Sequence, residues 1–197
     1  MLVPVVEYAE LAPLRDLTAV AVDMGFSGRA LSCGIASRQA TENIISSENA
    51  RFGQCVETVA NLLGPHKEAV LIIEAPLSAA FSENGNPQAR GDFESKPKPR
   101  WWSIGAGAVT ALAAQYFLFE IVQRISDSIR VYLIEGFVTG ANSVGHAEVS
   151  SCLLRSLRND TRSRWHCPKG ARLVSVVQWL PRQTANGSPI ILIPEGK

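Results

Sequence analysis

The chain of 197 residues lacks most of the short signatures that announce a chemistry. It has no GxGxxG turn and no GxxxxGK[ST] loop, which argues against the common dinucleotide and P-loop nucleotide sites. It has no GxSxG elbow and no HExxH pair, so hydrolases of those types gain no support. Its four cysteines, at positions 33, 55, 152 and 167, form no CxxC pair. Cys167 follows His166, but no second Cys/His pair completes a zinc site. The cysteines read as small buried apolar residues in a reducing compartment. The opening MLVPVVEYAE has neither the basic nor the long apolar region of a signal peptide. The most apolar stretch, residues 104–122, is interrupted by Gln115 and Glu120. Its longest clean run falls far short of the ~18 residues a spanning helix needs. A soluble, cytoplasmic protein with no membrane partner is expected.

Charge is scarce too, at 19% of residues with a formal net charge of +1, so there is no global nucleic-acid footprint. Its distribution is uneven. Residues 1–150 carry 11 Lys/Arg against 16 Asp/Glu, and residues 151–197 carry 8 against 2. An acidic body with a basic end leaves room for a polyanionic partner. The 46% hydrophobic content at this length suits one compact domain with a core of its own. It excludes a disordered chain, a collagen or a small disulfide scaffold.

What is present is an alternation of apolar runs. Residues 1–16 read as an irregular lead-in. Residues 17–23 (LTAVAVD) and 30–37 (ALSCGIAS) read as buried strands joined by a hairpin turn, with residues 43–47 as a third candidate. Residues 52–63 carry apolar positions at helical spacing and stop at Gly64-Pro65. Residues 69–75 (AVLIIEA) are a further strand ended by Pro76. Residues 78–100 read as a long polar loop, and a loop of that length in a compact domain is usually functional. Residues 103–126 predict a long helix, 129–135 a strand and 145–158 a helix. In the tail, VSVVQWL suits helix or strand and PIILIP a strand. The pattern predicts an α/β domain: a leading antiparallel hairpin or meander, then parallel strands in a mixed sheet, with helices on both faces.

The informative feature is where the acids fall. Asp23 and Glu74 each close a hydrophobic strand. As parallel neighbours, the two strands would bring both carboxylates to one sheet edge, where ligands bind in such sheets. Two close carboxylates repel, so a proton or a cation must separate them. Mg²⁺ or Mn²⁺ suits this arrangement, since Mg²⁺ is usually held by only one or two carboxylates. Glu148, at the start of the last long helix, is the first candidate for a third acid, and Glu135 at a strand end the second. His146, two residues from Glu148, is a candidate for metal or phosphate. Taken singly, Asp23 also suits a turn, Glu148 a helix N-terminus and His146 a cap. The joint arrangement is more specific than any member.

The stretches VDMGFSGRALSCGIA, IIEAPLS and IEGFVTGANSVGHAEVSSCLL together resemble the RNase H-like superfamily, which includes RuvC-type Holliday-junction resolvases. They look closer still to uncharacterised bacterial members with a D/E-A-P-L strand end and an Arg-bearing loop after it. The resemblance covers residues 17–160, roughly. It implies a single RNase H-like domain over residues 1–197, with 161–197 as a basic C-terminal extension. It also implies a metal-dependent nuclease that hydrolyses phosphodiester bonds. Asp23 would bridge the metals, Glu74 would bind one of them and Glu148 would complete the site. The late helix of active members usually carries one or two Asp, whereas this chain carries only Glu148, followed by Val149.

Two basic stretches suit a nucleic-acid partner, DNA or RNA. Arg90 and Arg100, with Lys96 and Lys98, stand close to Trp101 and Trp102, a combination of charge for phosphates and rings for bases. A solvated loop followed by core-anchoring tryptophans explains the same residues. Arg155, Arg158 and Arg162 share one face if the helix continues past 158, a face that could track a phosphate backbone, or simply favour a helix C-terminus. The rival readings are a catalytically inactive binding or assembly module and an actin-like nucleotide binder. The latter fold needs two such halves and far more chain. The oligomeric state stays open at this point, with a homodimer among the options.

Overall fold

The computed structural model describes residues 1–27, 31–40, 42, 44–95, 102–103, 105–138, 145–159, 171–175, 180 and 187–194. In chain order, the elements begin with β1 (Leu2–Pro4), a 3₁₀ turn (Tyr8–Glu10) and α1 (Leu11–Leu14). Next come β2 (Ala19–Asp23), β3 (Cys33–Arg38), β4 (Ser46–Ala50), α2 (Phe52–Leu63) and β5 (Glu68–Glu74). The middle of the chain forms β6 (Ser78–Phe81), β7 (Pro87–Gln88), α3 (Asp92–Ser95) and α4 (Ala106–Arg124). The last elements are β8 (Arg130–Gly136), α5 (His146–Asn159), β9 (Arg172–Ser175) and β10 (Ile191–Leu192).

The main sheet runs β1-β8-β5-β2-β3-β4, with β10 also on β8. Strands β2, β3 and β4 form an antiparallel meander. Strands β5, β8, β1 and β10 all run parallel to β2. The expected mixed α/β sheet is therefore present. Strands β7-β6-β9 make a second, antiparallel sheet.

Alternation along the central strands splits the core in two. Val20, Val22, Leu71, Ile73, Val131 and Leu133 face α2 and α4. Ala19, Ala21, Val70, Ile72 and Ile134 face α1 and α5. Helix α5 buries Val149, Leu153, Leu154 and Leu157 there, each contributing about 1.5–3 kcal/mol. On the other face, α4 buries Ala114, Phe117, Leu118 and Ile121.

The structure revises several sequence expectations. The lead-in is ordered, because Leu2 and Val5 bury against the open edge of β8 and draw a short strand there. The third strand lies at Ser46–Ala50 rather than 43–47. The long polar loop contains β6, β7 and α3, and two of its charged residues are fully buried. Part of the basic extension is structural, with β9 paired to β6 and β10 to β8. Helix α4 is long and apolar enough to cross a membrane by length and composition, which core helices also satisfy. Its best 18-residue window keeps a mean hydropathy of 1.2 with Gln115 and Glu120 included.

Candidate active site

Asp23 and Glu74 are register partners at the carboxyl ends of adjacent parallel strands. Asp23 continues the 19-21-23 row and Glu74 the 70-72-74 row, so both belong to the face that α5 covers. The Asp23 carboxyl lies within hydrogen-bonding reach of Glu74 and of His146. His146 Nδ1 stands 2.7 Å from Asp23 Oδ2. Val138 N–H donates to Glu74 Oε1 at 3.4 Å. Burial pushes the Asp23 carboxyl above its ordinary range, against the opposing hydrogen bond and charge of His146 and the hydrogen bond with Glu74. The imidazole side chain is 46% exposed, so the site is open on that side.

Local structure explains why these groups meet. Asp23 ends its strand because Gly25 follows, and a Cβ at Gly25 would lie 1.8 Å from the carbonyl oxygen of Ser32. Gly34 pairs with Asp23 across the meander. A Cβ there would lie 2.0 Å from the carbonyl oxygen of His146 and 2.6 Å from Ala147 N. The bare backbone at position 34 thus lets the start of α5 rest on the sheet. Asn49 of β4 caps that start, its Oδ1 accepting from Ala147 N–H at 3.1 Å. Ser150, one turn after His146, accepts the buried backbone N–H of Asp23 at 2.9 Å.

Asp23, Glu74 and His146 are therefore brought together. Glu148, expected to complete the set, faces elsewhere. Two residues beyond His146 means about 200° around a helix. Its side chain is 57% exposed and ion-paired with Arg155. Arg155, expected at a phosphate, is thus engaged by Glu148, while Arg158 is exposed near the end of α5.

Glu135 also faces away, since alternation sends it to the α4 side. There it is fully buried with Arg90, a residue expected on an exposed basic loop. Arg90 Nε and Nη2 donate to Glu94 Oε1 at 3.0 and 2.7 Å, and Nη1 donates to Ser78 Oγ at 3.0 Å. Nη1 is also paired with Glu135, and Ser78 Oγ donates to Glu135 Oε2 at 3.0 Å. Arg90 is thus an internal strut, because two buried carboxylates hold its guanidinium. Arg100 and Trp101 lie outside the described residues.

As a donor set, two adjacent carboxylates suit a hard divalent ion, which needs only one or two of them. Among the described residues, no three His, Cys, Asp or Glu groups are arranged to hold a metal ion together. Residues that the sequence did not single out are Gly34, Asn49 and Ser150. Only Ser150 carried a signal, its spacing of four from His146.

The chain matches no protein-family model, no curated protein and no solved structure.

Proposed function

We propose that this protein is a nucleic-acid phosphodiesterase of RNase H-like type, working with Mg²⁺ or Mn²⁺ held at Asp23 and Glu74. One observation carries the reading. Asp23 and Glu74 sit side by side at the carboxyl ends of the central parallel strands, on one face of the sheet. The meander followed by parallel strands supports the fold assignment. A bound divalent ion supplies an activated water and compensates charge at the phosphate. The protein's own part is positional. Asp23 and Glu74 hold oxygen ligands beyond the strand ends. His146 fixes Asp23 Oδ2 through Nδ1, leaving Nε2 as the nitrogen available to a phosphate oxygen or a departing alkoxide.

A second reading rests on the outward Glu148, paired with Arg155. With the third acid turned away, the domain would be a binding or assembly module that keeps the fold without the reaction.

One experiment separates the two. Mn²⁺ affinity is measured by calorimetry, and cleavage of DNA and RNA is followed with Mn²⁺ present, for the native chain and for Asp23→Asn and Glu74→Gln. The nuclease reading expects Mn²⁺ binding and cleavage, both lost in each variant with the fold retained. Nucleic-acid binding that ignores both substitutions and produces no cleavage would establish the module instead.

A further inference from the structure

Helix α4 is apolar on two opposite sides. One side buries Ala114, Phe117, Leu118 and Ile121 in the core. The other carries Val109, Leu112, Tyr116 and Phe119, each 40–67% exposed. Their spacing of three, four and three residues keeps them within about 80° of the helix circumference, the seam pattern of a helix that packs along another helix. The patch continues from Tyr116 through Phe52, at 6.1 Å between ring centroids, to Phe26, which is 62% exposed. A helix that is apolar all round is normally covered on every side. The only charged residues of α4 are Glu120 and Arg124, and they pair with each other near its end. The helix therefore lacks the basic fringe that seats a helix on a lipid surface, and its buried side fixes it in the core.

We propose that α4 packs antiparallel against α4 of a second copy of this chain, forming a homodimer about a two-fold axis. The stripe is complementary to itself in that direction. With the axis at the centre of the stripe, Val109 faces the partner's Phe119 and Leu112 faces the partner's Tyr116. Each contact sets a smaller side chain against a larger one, so the seam fills evenly. A parallel pairing would set valine on valine at one end and phenylalanine on phenylalanine at the other. The helix ends match as well. Gly105 at the α4 N-cap has no side-chain oxygen, and the first turn holds no acid. The antiparallel register brings the partner's Glu120 beside Ala108 in that turn, where a carboxylate is favourable. Glu120 lies about 60° from the seam centre and Arg124 about 100°, so the acid stands nearer the partner helix. The area is sufficient too. With large side chains of roughly 150–250 Å² each, the five exposed residues leave about 500 Å² of apolar surface per chain. A stable interface takes about 800 Å² from each partner, roughly 65% of it apolar in homodimers. The seam is short, but the core already holds α4 helical, so association does not have to form the helix.

The test is sedimentation equilibrium of the full chain between about 1 and 100 µM, without metal or nucleic acid, so its outcome is independent of the phosphodiesterase reading. The mass is expected to rise with concentration to twice that of one chain. Leu112→Glu places a charge at the centre of the seam, on a side chain that the monomer leaves mostly exposed. It should raise the dimer dissociation constant at least about thirtyfold. Thermal melting checks that the variant is folded, and Val109→Glu decides the matter if it is not. The register is tested by Val109→Lys and Phe119→Glu, singly and together. Antiparallel packing sets each lysine against a glutamate, so the double variant should dimerise more tightly than either single one. A native chain that stays monomeric throughout, a dimer that survives a folded Leu112→Glu variant, or a double variant no tighter than the single ones overturns the proposal. A monomer that co-sediments with phosphatidylcholine vesicles would overturn it in favour of a lipid surface.

Discussion

Arg90→Leu is the most informative perturbation of stability. It removes the guanidinium shared by two carboxylates, and all three side chains have no exposed surface. Removing one partner of a buried ion pair costs about 3–5 kcal/mol. Two carboxylates lose their cation here, and each keeps one hydrogen bond, Glu135 from the Ser78 hydroxyl and Glu94 from the backbone N–H of residue 90, so a loss within that range is expected at neutral pH. With a urea slope of about 1–3 kcal/mol per molar, the unfolding midpoint falls by roughly 1–5 M. The loss depends on pH. Burial already raises the Glu135 carboxyl above its ordinary range, against the pull of Arg90 and Ser78. A carboxyl raised on folding contributes stability that is fully present below its unfolded value, about 4.3. That stability disappears as pH rises through the raised folded value. Without Arg90 the folded value rises further, so the deficit is small in acid and full at neutral pH. Urea titrations at several pH values measure it. The triple variant Arg90→Met, Glu94→Gln, Glu135→Gln removes all three charges and should recover most of the loss. A loss below about 1 kcal/mol at neutral pH, or one independent of pH, would refute the argument that this network is dry.

Gly34→Ala forces a methyl group against the His146 carbonyl. It should cost about 1–3 kcal/mol or more and weaken Mn²⁺ binding, as read by thermal melting and calorimetry. Ser150→Ala leaves the buried Asp23 N–H without its acceptor. A loss of about 1–3 kcal/mol is expected in urea denaturation, and an unchanged midpoint would contradict it. Glu148→Gln breaks only an exposed pair, so stability should change by less than about 1 kcal/mol and Mn²⁺ affinity should hold. A collapse of that affinity would return Glu148 to the site.

The parts of the fold that were legible are those written in one-dimensional periodicity. The runs ending at Asp23 and Glu74 are apolar enough to be central, and their carboxylates meet as neighbouring parallel strands require. Glu148 stands apart from the pair because nearness in sequence to His146 is not nearness on a helix, where two residues turn the side chain about 200°. Arg90 read as a surface cation because its partners, Glu94 and Glu135, are four and 45 residues away. Nothing local distinguishes a paired arginine from a solvated one. Gly34 and Asn49 act by meeting the start of α5 roughly a hundred residues later, a contact that no local pattern carries.

The free side of β8 is shared by two short segments from opposite parts of the chain. β1 pairs along Val131–Leu133 and β10 along Glu135–Gly136. Ile190 N–H donates to the Val5 carbonyl where the two segments meet. During synthesis the first half of this seam can close early, whereas the second waits until residue 192 has left the ribosome. Until then, the backbone N–H groups of Glu135 and Phe137 lack the carbonyls of Ile190 and Leu192. A nascent chain therefore presents a short open strand edge, available to other chains. Removing residues 188–197 would make that interval permanent, and the resulting protein is expected to aggregate where the full chain does not.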